Sequence, residues 1–330
     1  MTRRVLFLGG TGTISAAGVR RARERGDDVT VLNRGTGRRP LPDGVRSLEA
    51  DLHEPDAVSA ALGDEEFDVV AQFVAFTSDQ VEADIARFEN RCGQYVFISS
   101  ASAYQKPPAR LPITESTPLR NPYWQYSRDK IACEDALVDA YRERGFPMTI
   151  IRPSHTYDQR MLPTLGRWTD VARMRAGRPV VVHGDGTSLW TITHADDVAV
   201  GLVGLFGHPD AIGEAFTITG DHAPTWDRIY GWLAEAAGVP HPEFVHVASE
   251  TLARFAPDLG PTLVGDKAHS VVFDCAKVRA LVPDFAPTIG FDEGARQIIA
   301  HHDAHPHLQR VDDDLDRLFD RIVAHAHAAG

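Results

Sequence analysis

The chain has 330 residues, 43% of them hydrophobic and 24% charged, and carries a formal net charge of −12. A chain this long buries a sizeable core, as one large domain or two lobes sharing a core. The acidic balance argues against a nucleic-acid backbone as partner, because phosphate contacts need clustered Lys and Arg.

Short apolar runs rich in Val, Ile and Phe, at 5–8, 29–32, 67–74, 95–99 and 148–151, alternate with helical patterns. Each is bounded by Gly, Asp or Pro. Continuous apolar strands separated by helices predict an α/β fold, a doubly wound parallel sheet covered on both faces. A helix is expected over 14–25, stopped by Gly26, and a second long one over 129–145, again ending at a glycine. Beyond 151, Pro163, Gly166, Gly177 and Pro179 punctuate the chain. A strand at 180–183, a turn at Gly184-Asp185-Gly186 and a strand at 215–219 follow. The remainder reads as helix and loop, closing on an amphipathic helix near 315–324. The expected organisation is a sheet core over 1–160, re-entered by about 180–222. A smaller interleaved lobe is built from 161–179 and 223–330.

The run at 5–8 is too short for a signal peptide, and no stretch approaches the roughly 18 apolar residues of a membrane span. Cys92, Cys133 and Cys275 are too scattered for a disulfide framework or a zinc site, and read as small buried residues in a reducing compartment. His301, His302, His305 and His307 match no standard ligand spacing and read as solvated surface. The expectation is a cytoplasmic protein that binds no metal, membrane or nucleic acid.

Gly9-Gly10-Thr11-Gly12-Thr13-Ile14-Ser15 lies between the first strand and the first helix, the context that makes a glycine motif a dinucleotide site. Gly9 permits the tight turn. Gly12 lets a pyrophosphate approach the helix N-terminus, and Ser15 stands where a small residue allows close helix–strand packing. The second strand ends Leu32-Asn33-Arg34. An acidic residue there would take the adenosine ribose and select NAD. Its absence, with Arg34, Arg38 and Arg39 near, favours NADP over NAD through a 2′-phosphate contact. Asp51, ending the third strand, is placed for the adenine. The expected NAD(P) contacts are Gly9, Gly12, Thr13, Ile14, Asn33, Arg34, Asp51, Leu52, Phe73, Ala75, Tyr126, Lys130 and Pro153.

Tyr126 and Lys130 stand four apart, on one face of a helix. A phenol near pKa 10 is a poor proton shuttle at neutral pH, and a neighbouring ammonium lowers it toward general acid/base work. Ser100, at the end of the 95–99 strand, can hydrogen-bond the reacting oxygen.

With these landmarks the chain resembles the extended short-chain dehydrogenase/reductase family, its NAD-dependent epimerase/dehydratase group. The resemblance rests on Gly9-Gly10-Thr11-Gly12, Ser99-Ser100-Ala101-Ser102-Ala103-Tyr104, Tyr126 with Lys130, Arg152-Pro153, and Gly184-Asp185-Gly186 leading to His194-Ala195-Asp196-Asp197. It implies a Rossmann-type core, Ser100 (four before Tyr104), Tyr126 and Lys130 as catalytic residues, and hydride transfer at a carbinol carbon. Departures from the family pattern refine this. Ala101 and Ser102 stand where dehydratases carry acidic residues, which disfavours dehydration. His155 replaces an Asn, Trp190 replaces a phosphate-binding Arg, and Leu263-Val264 stand where a further Arg is expected. Losing guanidinium partners removes the strong phosphate contacts. Ser102, His155 and Trp190 are the expected substrate contacts, with Trp190 either stacking on a ring or packing between lobes.

The leading expectation is an NAD(P)-dependent epimerase or oxidoreductase acting on a secondary alcohol of a sugar, glycoside or sugar nucleotide, preferably one without a nucleoside-diphosphate handle. The alternatives are an NADPH-dependent ketone reductase of secondary metabolism and a non-catalytic dinucleotide-sensing protein. A homodimer through 80–92 and 127–144 is implied by the family alone.

Overall fold

The computed structural model describes residues 2–36 and 39–329. Arg38, one of the arginines expected near the 2′-phosphate, lies outside the described residues.

The first half alternates strand and helix as the apolar runs dictate. β1 (Arg4–Leu8), β2 (Asp28–Asn33), β3 (Arg46–Glu49), β4 (Phe67–Gln72), β5 (Cys92–Ile98) and β6 (Met148–Pro153) are joined through α1 (Thr13–Glu24), α2 (Pro55–Leu62), α3 (Ser78–Phe88) and the long α4 (Gln125–Arg144). β7 (His155–Tyr157), α5 (Trp168–Arg175), β8 (Val180–His183), β9 (Ile192–His194), α6 (Ala195–Gly204), β10 (Ala215–Ile218), α7 (Trp226–Ala236), β11 (Phe244–Val247) and α8 (Ser249–Phe255) follow. The chain closes on helices Phe291–Ala304 and Asp313–Ala329.

The main sheet has seven parallel strands in the order β10-β6-β5-β4-β1-β2-β3. Strand order reverses beside β1, whose neighbours are β2 and β4. In an open parallel sheet, the crevice at such a switch point, beyond the strands' carboxyl ends, is where ligands bind. The fold is therefore Rossmann-like. Both faces of the sheet are packed: Val5, Phe7, Val29, Val31 and Val69 meet α1 and α6 residues on one side, while Leu6, Leu8, Val70, Tyr95 and Phe97 meet α3 and α4 residues on the other. Burial on both faces is why these strands read as unbroken apolar runs rather than alternating ones.

The re-entry into this sheet is narrower than the sequence suggests. β10 joins it as an edge strand, but β8 pairs in parallel with β11 in a separate two-stranded sheet. Val180, Val181 and Val182 are fully buried, and such a short apolar run looks the same in either sheet. A second apolar core gathers Trp168, Trp190, Trp226, Tyr230 and Phe291 together with Tyr104 and Ile113. Among the described residues no helix is long and apolar enough to cross a membrane, and no group of three or more His, Cys, Asp or Glu is placed to hold a metal. The His301 and His305 rings lie tilted by 33° with centres 4.3 Å apart, and His302, expected as solvated surface, is instead buried and stacks on Trp168 at 4.9 Å.

Candidate active site

The turn after β1 is made by Gly9, whose φ of +84° suits glycine. A Cβ on Gly9 would lie 2.6 Å from Val74 Cγ1, and one on Gly10 2.6 Å from Val31 Cγ1. The loop is thus seated against the ends of β4 and β2. Gly12 caps α1 and donates its N–H to Ser15 Oγ at 2.9 Å. The result is a side-chain-free cradle at a helix N-terminus, which fits a pyrophosphate. Gly9, Gly12, Thr13, Ile14, Asn33, Arg34, Asp51, Leu52, Phe73, Tyr126, Lys130 and Pro153 all line one cleft of about 720 Å³. Ala75 does not line it. It is buried, and its carbonyl accepts a hydrogen bond from Lys130 Nζ at 2.8 Å.

The two described arginines near the adenosine end differ. Arg34 is exposed at the cleft edge, with no ion-pair partner among the described residues. Arg39 pairs with Asp158 and reaches Thr13 Oγ1 at 3.4 Å, joining the segment after β2 to the segment after β7 across the start of α1.

α4 carries Tyr126 and Lys130 one turn apart on its buried side. The Lys130 side chain is 1% exposed; its Nζ donates to the carbonyls of Ala75 and Ile98, at 2.8 and 2.9 Å, and lies 4.8 Å from the Phe76 ring centre. Burial pushes this ammonium down to about 8. Tyr126 moves opposite to the sequence expectation. Burial pushes its hydroxyl above the usual phenol range, the Asp266 carboxylate adds to the rise, and a Ser100 hydrogen bond opposes it. The ammonium is turned toward backbone carbonyls and is 6.0 Å from the Tyr126 ring centre, so burial wins.

Ser100, at the end of β5, bonds Ser102 Oγ at 2.9 Å, which bonds Ser127 Oγ at 2.8 Å; Asn121 Nδ2 donates to Ser127 Oγ, the Ser102 carbonyl and the Gly265 carbonyl. Beneath them, Glu134 pairs with Arg152 at 2.5 Å and accepts from Ser99, while Arg152 donates to Tyr104 Oη at 3.2 Å. This buried network ties α4, β5 and β6 together under the site.

Ser102, His155 and Trp190 line a second cavity of about 370 Å³, and Ser100, Tyr126 and Pro153 line both spaces. The three candidate catalytic residues therefore stand at or beside the junction of a dinucleotide-shaped cleft and a separate pocket. Two of the departures from the family pattern are partners: Trp190 Nε1 donates to His155 Nδ1 at 3.2 Å. Burial and the nearby Lys267 ammonium push His155 down to about 3, so it is neutral and accepts this bond. Trp190 is 2% exposed and its ring packs 5.1 Å from Trp226. It is thus a wall of the pocket and part of the second apolar core at once.

Sequence reasoning missed Lys106, Asp266 and Lys267, which line the same pocket. A signal existed: lysine occurs four times in a chain with 34 basic residues. Three of the four, Lys106, Lys130 and Lys267, face these two spaces.

Residues 5–219 match the NAD dependent epimerase/dehydratase family. The chain is 28% identical over 292 residues to 2'-dehydrokanamycin reductase of Streptomyces kanamyceticus, covering 86% of this chain and 80% of that protein. It is also 28% identical over 257 residues to the chloroplast stem-loop binding protein of 41 kDa b of Arabidopsis thaliana, covering 74% of this chain and 66% of that one. Among solved structures, an epimerase from Methanothermobacter thermautotrophicus superposes with a TM-score of 0.78 at 16% identity, covering 94% of both chains. At that identity the likeness is one of fold.

Proposed function

Since the chain belongs to the NAD-dependent epimerase/dehydratase family, we propose that it is a hydride-transfer oxidoreductase that reduces a ketone, or oxidises the matching secondary alcohol, on a carbohydrate-like substrate, with Tyr126 as proton donor. The observation that carries this reading is that Ser100 and Tyr126 line both the dinucleotide cleft and the adjoining pocket. The glycine cradle of Gly9 and Gly12 would hold a nicotinamide dinucleotide, which would supply hydride chemistry when bound. The chain's own groups do the rest. Ser100 Oγ orients the substrate oxygen. Tyr126, kept protonated by burial, donates its proton to that oxygen as charge develops on it. Lys130 holds a positive charge behind the phenol and stabilises the phenolate that forms.

A phenol held above its usual range rests in its protonated form, the form that donates to a developing alkoxide. The relative named as a 2'-dehydrokanamycin reductase supports net reduction, and Ala101 and Ser102 offer no acid or base for elimination. Arg34, exposed and without an ion-pair partner among the described residues, supports NADP as the preferred form. A cytoplasmic location and a homodimer through α3 and α4 belong to the same reading by family analogy.

Epimerisation through a transient ketone is the second reading. The match to the epimerase/dehydratase family supports it. Protein purified without added nucleotide, denatured and analysed by mass spectrometry separates the two. An empty protein that binds NADPH and turns over supports reduction. Stoichiometric retained NAD(P) supports epimerisation. Binding neither dinucleotide overturns both.

A further inference from the structure

We infer that the pocket beside Tyr126 is built for a substrate carrying one carboxylate, held by the excess positive charge of Lys106 and Lys267 over Asp266. The inference rests on the hydride-transfer reading above and names its substrate class. Of the residues lining this pocket, only Lys106, Lys267 and Asp266 carry charge, since His155 is neutral. Two ammonium groups against one carboxylate leave one unit of positive charge in the wall.

That charge is not solvated. The Lys106 side chain is fully buried. Its Nζ lies 3.0 Å from Asp266 Oδ1 but makes no well-aligned hydrogen bond to any described residue, although an ammonium has three donors to place. Lys267 Nζ donates to Thr262 Oγ1 at 3.0 Å and sits 5.5 Å from the Trp190 ring centre. Burial and the Lys106 charge hold it below the usual lysine range. Buried charge is tolerated when something compensates it. Among the described residues the remaining compensation is not protein.

The selection of lysine sharpens the argument. The chain uses arginine nearly everywhere on its surface, and its other non-catalytic lysine, Lys277, is consumed by Glu214 at 2.5 Å. A lysine is a compact point charge that matches one oxyanion, whereas bidentate phosphate clamping favours arginine. One unit of excess charge balances a carboxylate, and falls short of a phosphomonoester at about −1.5 to −2. The same charge repels a polycationic amino sugar, so this pocket is chemically unlike one for an aminoglycoside.

The test is equilibrium binding of four probes to the protein saturated with NADP⁺: glucuronate, glucose, glucosamine and glucose 6-phosphate. Glucuronate is expected to bind at least about tenfold more tightly than glucose and glucosamine, and Lys267→Met to erase that preference. The wild-type comparison needs no variant, so a misfolded Lys267→Met does not blunt it. Glucuronate binding no tighter than glucose, including no binding of either, overturns the inference, as does tightest binding of glucosamine. Tightest binding of glucose 6-phosphate overturns the carboxylate assignment. Should NADP⁺ fail to bind, the four probes are titrated against the protein saturated with NAD⁺; failure of both dinucleotides to bind marks failure of the underlying reading instead.

Discussion

Replacing Lys130 by Met separates what this lysine costs the fold from what it supplies to the site. Its ammonium is 1% exposed and its folded pKa is about 8, below the ordinary 10.5. Between those two values the unfolded chain keeps the proton and the native chain has released it. Stability therefore rises with pH across this window, and the native state bears the full cost of the buried charge below about pH 8. With 1.36 kcal/mol per pKa unit, that cost is about 3 kcal/mol near pH 7 and falls to about 1 kcal/mol near pH 9.5. The Met variant lacks this titration but also lacks the two hydrogen bonds to Ala75 and Ile98. Its absolute stability mixes both effects, whereas its pH dependence isolates the charge. Urea unfolding of both proteins should show wild type gaining about 2 kcal/mol on Lys130→Met between about pH 7 and pH 9.5. A gap that does not change with pH would refute the reasoning. It would mean that water or local rearrangement solvates the ammonium.

Other predictions follow from the same geometry. Tyr126→Phe should retain dinucleotide affinity and lose about 10²–10⁴-fold in turnover, the usual range for a positioned acid, read by steady-state kinetics beside a cofactor titration. Arg34→Ala should weaken NADP⁺ about tenfold and leave NAD⁺ unchanged, as expected for one charge-assisted hydrogen bond to the 2′-phosphate. Arg152→Met should lose about 3–5 kcal/mol in urea unfolding, because it strands the buried Glu134 carboxylate. Adding Glu134→Leu should recover most of that loss, and a double variant no more stable than the single one would contradict it.

The sheet was legible because its strands are buried on both faces: 5–8, 29–32 and 148–151 are runs of Val, Leu, Ile, Phe and Met interrupted only by Thr30 and Thr149. The glycine loop was legible because Gly9 meets a local demand, a positive φ beside Val74. Tyr126 and Lys130 share a helix, so spacing alone brought them together. The pairing of β8 with β11 was not legible, since a four-residue apolar run carries no mark of its partner. Nor was the Trp190–His155 hydrogen bond, which joins positions 35 apart. Lys106, in a loop, and Lys267, at the end of the short helical segment Leu263–Lys267, stand 161 positions apart, and only the fold puts both against one pocket. The direction of the Tyr126 shift failed for a related reason. The sequence reports the neighbouring lysine, but not the depth of burial that outweighs it.

The most direct test of the account is single-turnover hydride transfer. Wild type and Tyr126→Phe, each loaded with NADPH, are mixed with a panel of oxidised monosaccharides and keto-uronates, and loss of the reduced-nicotinamide absorbance is followed. The account predicts loss in the wild type on at least one member, and loss at least about a hundredfold slower in the variant. Equal rates in the two proteins, or NADPH bound by both and oxidised by neither across the panel, would contradict it.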